Sequence, residues 1–234
     1  MAISRRTALR ASFLGGTGAA LVGAGGGTAL ADPADSAPGA TDAATALRLL
    51  KDGNRRWRRF ASRHPHESRA RREEVAGGQH PFAIILSCAD SRVPPELVFD
   101  QGLGDLFTIR AAGEVLDESV LGSICYGAQH LHVPLVVVLG HSSCGAVTAA
   151  VDVHDGGEAP HGHIGYLVER ILPVVDATPD EGDGFVDACI SANARHVAEE
   201  LRADADLRGL VDSGKLKIVA ARYELDTYQV NFLD

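Results

Sequence analysis

Two kinds of hydrophobic pattern alternate along the chain. Phe82 to Leu86 and Leu135 to Leu139 are short runs without a polar residue. Every side chain in them needs burial, as in strands covered on both faces of a parallel sheet. Leu106 to Arg110 and Ile218 to Ala221 read as two further strands, and Tyr223 to Phe232 as an edge hairpin. Between them the spacing is helical. Ala43 to Phe60 carries Leu47, Leu50, Asn54 and Trp57 along one face, with Thr41 or Asp42 as its cap. Ser68 to Ala76, Asp117 to Leu131, a stretch from Ser143 to about Val151, Ile164 to Val175 and Gly184 to Arg202 are predicted helices, and Pro94-Pro95 starts a short helical turn. Strands alternating with helices predict an α/β fold, a mostly parallel central sheet flanked by helices with right-handed crossovers.

The first residues break this pattern. Ser4-Arg-Arg-Thr-Ala-Leu-Arg10 precedes an uncharged, Gly- and Ala-rich run that ends in Ala29-Leu30-Ala31. Paired arginines, a weakly apolar run and a small-x-small site form a twin-arginine export signal. Its many glycines make it a poor membrane anchor. Residues 1–31 are therefore expected to be a signal peptide, 32–41 a linker, and 42–234 one domain. After cleavage, with no stable membrane insertion, the protein is expected in the periplasm, the cell wall or the medium.

Charge and cysteine content narrow the partners. Net charge is −9 over 234 residues; Arg5, Arg6 and Arg10 contribute +3, leaving −12 for the rest. Such an acidic domain gives no support to nucleic-acid binding. Four cysteines are too few for a disulfide scaffold.

Two of the apolar runs end in reactive residues. Ser87-Cys88-Ala-Asp90-Ser-Arg92 follows one, and Gly140-His141-Ser-Ser-Cys144-Gly145 follows the other. Ligands gather at the carboxyl ends of parallel strands. Cys88 and His141, 53 positions apart, can meet there with Cys144. Gly140 is expected to turn the chain sharply, and Ser142 or Ser143 to cap the next helix. Two thiolates and an imidazole are three ligands of a tetrahedral zinc, with a fourth place left open, as in catalytic sites. The thiolates cancel the ion's charge, so water on it needs help from its neighbours. Asp90 and Arg92, two residues apart in an extended segment, are placed to form a bidentate pair that keeps the carboxylate ionised.

Cys88-Ala-Asp90-Ser-Arg92 and His141-Ser-Ser-Cys144, with Phe99 to Phe107, Gly122 to Ile124 and Pro134 to Val147, resemble the β-class carbonic anhydrases. The likeness spans residues 43 to 234. It implies a zinc enzyme, one Zn2+ per subunit, that reversibly hydrates carbon dioxide to bicarbonate and a proton through zinc-bound hydroxide. It implies metal ligation by Cys88, His141 and Cys144, and catalytic roles for Asp90 and Arg92, with Asp90 also a fourth ligand in a closed low-pH state. The backbone N–H of Gly145 is a candidate donor to the substrate oxyanion. A homodimer or a dimer-based tetramer follows from the same resemblance.

Some residues depart from the family. Gln101 is displaced by one position from the glutamine of plant-type members, and Arg110-Ala-Ala-Gly-Glu114 stands where relatives often have Arg-Asn-Ala-Gly-Asn. Other expectations are plainer. His154, His161 and His163 read as solvated loop residues, and Cys125 as a small buried side chain, with a Cys125–Cys189 bridge an option after export. Three competing functions use the same motifs: a zinc hydrolase of carbon disulfide or carbonyl sulfide, a non-catalytic zinc-binding scaffold, and a redox protein pairing Cys88 with Cys144. The intact Asp90–Arg92 pair argues against the scaffold, and His141 at ligand spacing against the redox protein.

Overall fold

Five strands form one sheet in the order β2-β1-β3-β4-β5. The computed structural model describes residues 42–180 and 182–233, so the export signal expected at 1–31 and the linker expected at 32–41 lie outside the described residues. The strands are β1 (Ala83–Ser87), β2 (Leu106–Arg110), β3 (Leu135–His141), β4 (Lys217–Tyr223) and β5 (Val230–Phe232). The first four pair in parallel; β5 runs antiparallel to β4 and closes the edge hairpin. The helices are α1 (Ala43–Arg58), α2 (Arg69–Val75), α3 (Pro95–Val98), α4 (Glu118–Cys125), α5 (Gly145–His154), α6 (Gly162–Ala177), α7 (Phe185–Ala203) and α8 (Arg208–Asp212). The mostly parallel, helix-flanked sheet is the one expected.

Successive side chains of the central strands go to opposite faces. Ile84, Leu86, Val136, Val138, Ile218 and Ala220 pack with residues of α4 and α7, including Val120, Ile124, Ala194 and Val197. Ala83, Ile85, Leu135, Val137, Leu139 and Val219 pack on the other side with Ala46 and Leu50 of α1. Burial on both faces is why these strands carry no polar residue in mid-run.

Helix α1 starts at Asp42, whose carboxylate accepts the Thr45 N–H at 2.8 Å. Gly53 lets it lie close to the core: a Cβ there would sit 1.7 Å from the Phe99 carbonyl oxygen. Buried Asn54 donates to the carbonyls of Val98 and Tyr228 and accepts the Val230 N–H, tying α1 to α3 and to the edge hairpin.

Several expectations change here. Gly140 does not turn the chain. It continues β3, paired with Arg222, and His141 pairs with Tyr223. The turn comes later, at Ser143, with φ +56°. Neither Ser142 nor Ser143 caps α5. Cys144 holds the cap position without a side-chain bond, and the Ser142 hydroxyl instead accepts the Leu225 N–H at 2.9 Å. The helix predicted over 117–131 is α-helical only to Cys125 and continues as a π turn, Tyr126–His130. Helix α8 has no buried residue and so left no apolar periodicity to read.

Candidate metal centre

Parallel register brings the two reactive segments together. Ser87 stands beside Leu139, so Cys88 leaves β1 level with the last residues of β3, where His141 sits. The Ser142–Ser143 turn then brings Cys144 back to the start of α5. One ligand atom from each of Cys88, His141 and Cys144 lies within 4.8 Å of the other two, and all three residues are buried.

The donor set fits zinc. The two sulfurs are 3.9 Å apart, too far for a disulfide. Two Zn–S bonds of about 2.3 Å at a tetrahedral angle would separate sulfurs by about 3.8 Å. His141 holds its Nδ1 2.9 Å from the Ser142 carbonyl, so Nδ1–H donates there and the Nε2 lone pair is left for a ligand. That Nε2 is buried without a hydrogen-bond partner. A proton between the sulfurs pulls Cys88 down to about 4 and pushes Cys144 far up. Two thiolates this close need a cation to coexist, and a divalent ion meets that need.

Asp90 and Arg92 form the expected pair. Arg92 Nε is 2.9 Å from Oδ1 and Nη2 is 2.7 Å from Oδ2, and the Arg92 backbone N–H adds a third bond at 2.8 Å. The bond from the Arg92 side chain, above all, holds the Asp90 carboxyl down to about 2. Asp90 Oδ2 lies 3.8 Å from His141 Nε2, at the edge of the ligand triangle. Gly145 is exposed at the start of α5, with nothing within 4 Å of where a Cβ would be.

Three residues not singled out as site residues from the sequence also reach this centre. Arg110, the last residue of β2, donates from Nε to the Cys88 carbonyl at 3.1 Å and from Nη2 to the Asp90 carbonyl. Glu114 is 1% exposed with φ +54°. Burial, then the neighbouring Cys88 sulfur, pushes its carboxyl well up. Asn193, buried on α7, donates to the Gly113 carbonyl at 2.9 Å. Arg110 faces Ser87 across the β1–β2 register, which a correct strand alignment would have exposed. Nothing in the local sequence marks Asn193, 80 residues from its acceptor.

Other expected residues stand apart. Gln101 is buried and turned to the Phe99 carbonyl at 2.9 Å. His154 pairs with Asp176 at 2.8 Å; His161 is 95% exposed. Cys125 and Cys189 are free and pack in different clusters, so the optional bridge between them is absent. Among the described residues no helix is long and apolar enough to cross a membrane.

A mostly parallel sheet with Cys, His and Cys at its carboxyl ends is the architecture of the β-class carbonic anhydrases, and this chain belongs to that enzyme family. The carbonic anhydrase family model matches residues 83–230. Carbonic anhydrase 2 of Mycobacterium tuberculosis is 43% identical over 190 residues, covering 80% of this chain and 90% of that protein. The carbonic anhydrase of Mycolicibacterium smegmatis is 43% identical over 185 residues, 77% of this chain and 88% of its own. Among solved structures, a Coccomyxa β-carbonic anhydrase in complex with acetazolamide superposes with TM-score 0.65 at 24% identity, covering 80% of this chain and 86% of that one. One of two tetrameric β-carbonic anhydrases of Sordaria macrospora gives 0.64 at 21%, covering 80% and 96%. These two likenesses bear on the fold.

Proposed function

We propose that the protein reversibly hydrates carbon dioxide to bicarbonate and a proton at one zinc per subunit, held by Cys88, His141 and Cys144. The observation that carries this is the convergence of the three ligand atoms within 4.8 Å, beside a carboxylate fixed by its own arginine. When bound, zinc supplies Lewis acidity that makes water a usable nucleophile near neutral pH.

The chain's own residues do the rest. Asp90 accepts a hydrogen bond from the attacking oxygen and aims its lone pair at the substrate carbon. Arg92 occupies both carboxylate oxygens, so Asp90 stays ionised and oriented. The Gly145 N–H, at a helix start, offers a hydrogen bond to the oxyanion that grows as carbon dioxide bends. Were Arg92 to release it, Asp90 could swing toward the metal and close the site, the low-pH state implied by the resemblance.

Sulfur analogues of carbon dioxide would use the same residues, and a non-catalytic scaffold would use the ligands alone. The Asp90–Arg92 pair supports an enzyme, because metal storage needs no oriented carboxylate. The paired arginines and the Ala29-Leu30-Ala31 site support export by the twin-arginine route, and the family supports a dimer or dimer-based tetramer. Stopped-flow carbon dioxide hydration, run beside carbon disulfide and carbonyl sulfide hydrolysis on protein of known zinc content, tests the reading. It expects one zinc per chain and turnover of carbon dioxide above either sulfur substrate. Zinc-loaded protein that turned over only a sulfur substrate, or none, would refute it.

A further inference from the structure

Behind the ligand Cys88 lies a backbone turn that the proposed reaction leaves unused. Gly113 and Glu114 are both left-handed, with φ +64° and +54°. Glycine adopts that region freely; a glutamate does so only where its surroundings hold it. The position admits little else, since a Cβ on Gly113 would lie 2.6 Å from Ile171 Cδ1. One functional contact comes from this turn. The Gly113 N–H points at Cys88 Sγ, 3.4 Å away.

One distant side chain fixes both residues. Asn193 Nδ2 donates to the Gly113 carbonyl at 2.9 Å and lies 3.5 Å from Glu114 Oε2. Asn193 is 3% exposed and is held by α7, whose Ile190 and Ala194 pack into the core on either side of it. The peptide plane that carries the Gly113 carbonyl belongs to the same turn as the N–H aimed at the sulfur. Releasing the carbonyl frees the turn to rotate, and the N–H loses its aim.

We infer that Asn193 is a positioning residue for the metal ligand Cys88: it locks the Gly113–Glu114 turn so that one backbone N–H is directed at the ligand sulfur. A hydrogen bond to a thiolate draws electron density from the sulfur and weakens its donation to a metal. In a site where two thiolates cancel the ion's charge, this restores part of its Lewis acidity.

This inference rests on the zinc reading of Cys88, His141 and Cys144, and cobalt substitution separates the two. Cobalt(II) replaces zinc in the full protein, and the thiolate-to-cobalt charge-transfer band is recorded for wild type and Asn193→Ala. Wild type is expected to show the band. The variant should show it at longer wavelength, because a sulfur released from the N–H donates more strongly to the metal. If Asn193→Ala does not fold, Asn193→Ser provides the same readout, with a hydroxyl too short to reach the Gly113 carbonyl. A purely structural role would lower stability with the band unchanged, and that result would overturn the inference. Wild-type protein that took up cobalt without a thiolate band would overturn the zinc reading and the inference with it.

Discussion

Arg92 grips Asp90 through both carboxylate oxygens, at 2.9 and 2.7 Å, while Asp90 stands 3.8 Å from the Nε2 of His141. The carboxylate is thus fixed at the rim of the ligand triangle without entering it. Asp90→Asn removes the charge and keeps the shape. The variant should retain zinc while kcat for carbon dioxide hydration falls roughly a hundredfold or more. Metal analysis beside stopped-flow rates checks it; a fully active, zinc-loaded variant would remove Asp90 from the chemistry.

The same pair gives a signature in acid. Unfolded, Asp90 titrates at about 3.9; folded, the Arg92 side chain holds it down to about 2. A depressed carboxyl stabilises the native state fully above its unfolded value, and that contribution disappears as pH falls through the folded value. Wild type should therefore be more stable than Asp90→Asn from about pH 4 upward. The gap should shrink between about pH 4 and pH 2, which urea unfolding of both proteins across that range would show.

Arg110 braces the loop that carries both Cys88 and Asp90 by binding their two carbonyls. Arg110→Ala should leave the fold intact and lower kcat roughly ten- to a hundredfold, the size typical for groups that orient metal ligands. Arg110→Lys should recover only part of this, because one ammonium cannot reproduce the two-pronged geometry of the guanidinium.

Asn54 serves three backbone groups at once, the carbonyls of Val98 and Tyr228 and the N–H of Val230. Asn54→Ala leaves them unpaired in a largely buried setting, at about 1–3 kcal/mol for each group that water cannot reach. Denaturant unfolding should show a loss of about 3 kcal/mol or more. Zinc stoichiometry should not change, since Asn54 bonds to none of the three ligand residues.

The central sheet and the candidate ligand set were legible for a physical reason. A strand buried on both faces must be apolar throughout, and metal ligands must be His, Cys or carboxylate, so Leu135 to Leu139 and His141-x-x-Cys144 stand out of the chain. What stayed hidden depends on partners far away. Gly140 remains in β3 because Arg222, 82 positions on, pairs with it. Ser142 is drawn from helix capping by the N–H of Leu225. Asn193 gains its meaning from Gly113, and Glu114, a departure from the family in sequence, lies buried in the same left-handed turn behind Cys88.

The metal centre itself is tested most directly by X-ray absorption at the zinc edge of the purified protein. Cys88, Cys144 and His141 predict a first shell with two sulfurs at about 2.3 Å and one imidazole nitrogen at about 2.0–2.1 Å, completed by a single light atom. In Cys88→Ser the two-sulfur shell should vanish, along with most of the zinc. A wild-type shell without sulfur, or one that survives the loss of Cys88 unchanged, would contradict the site.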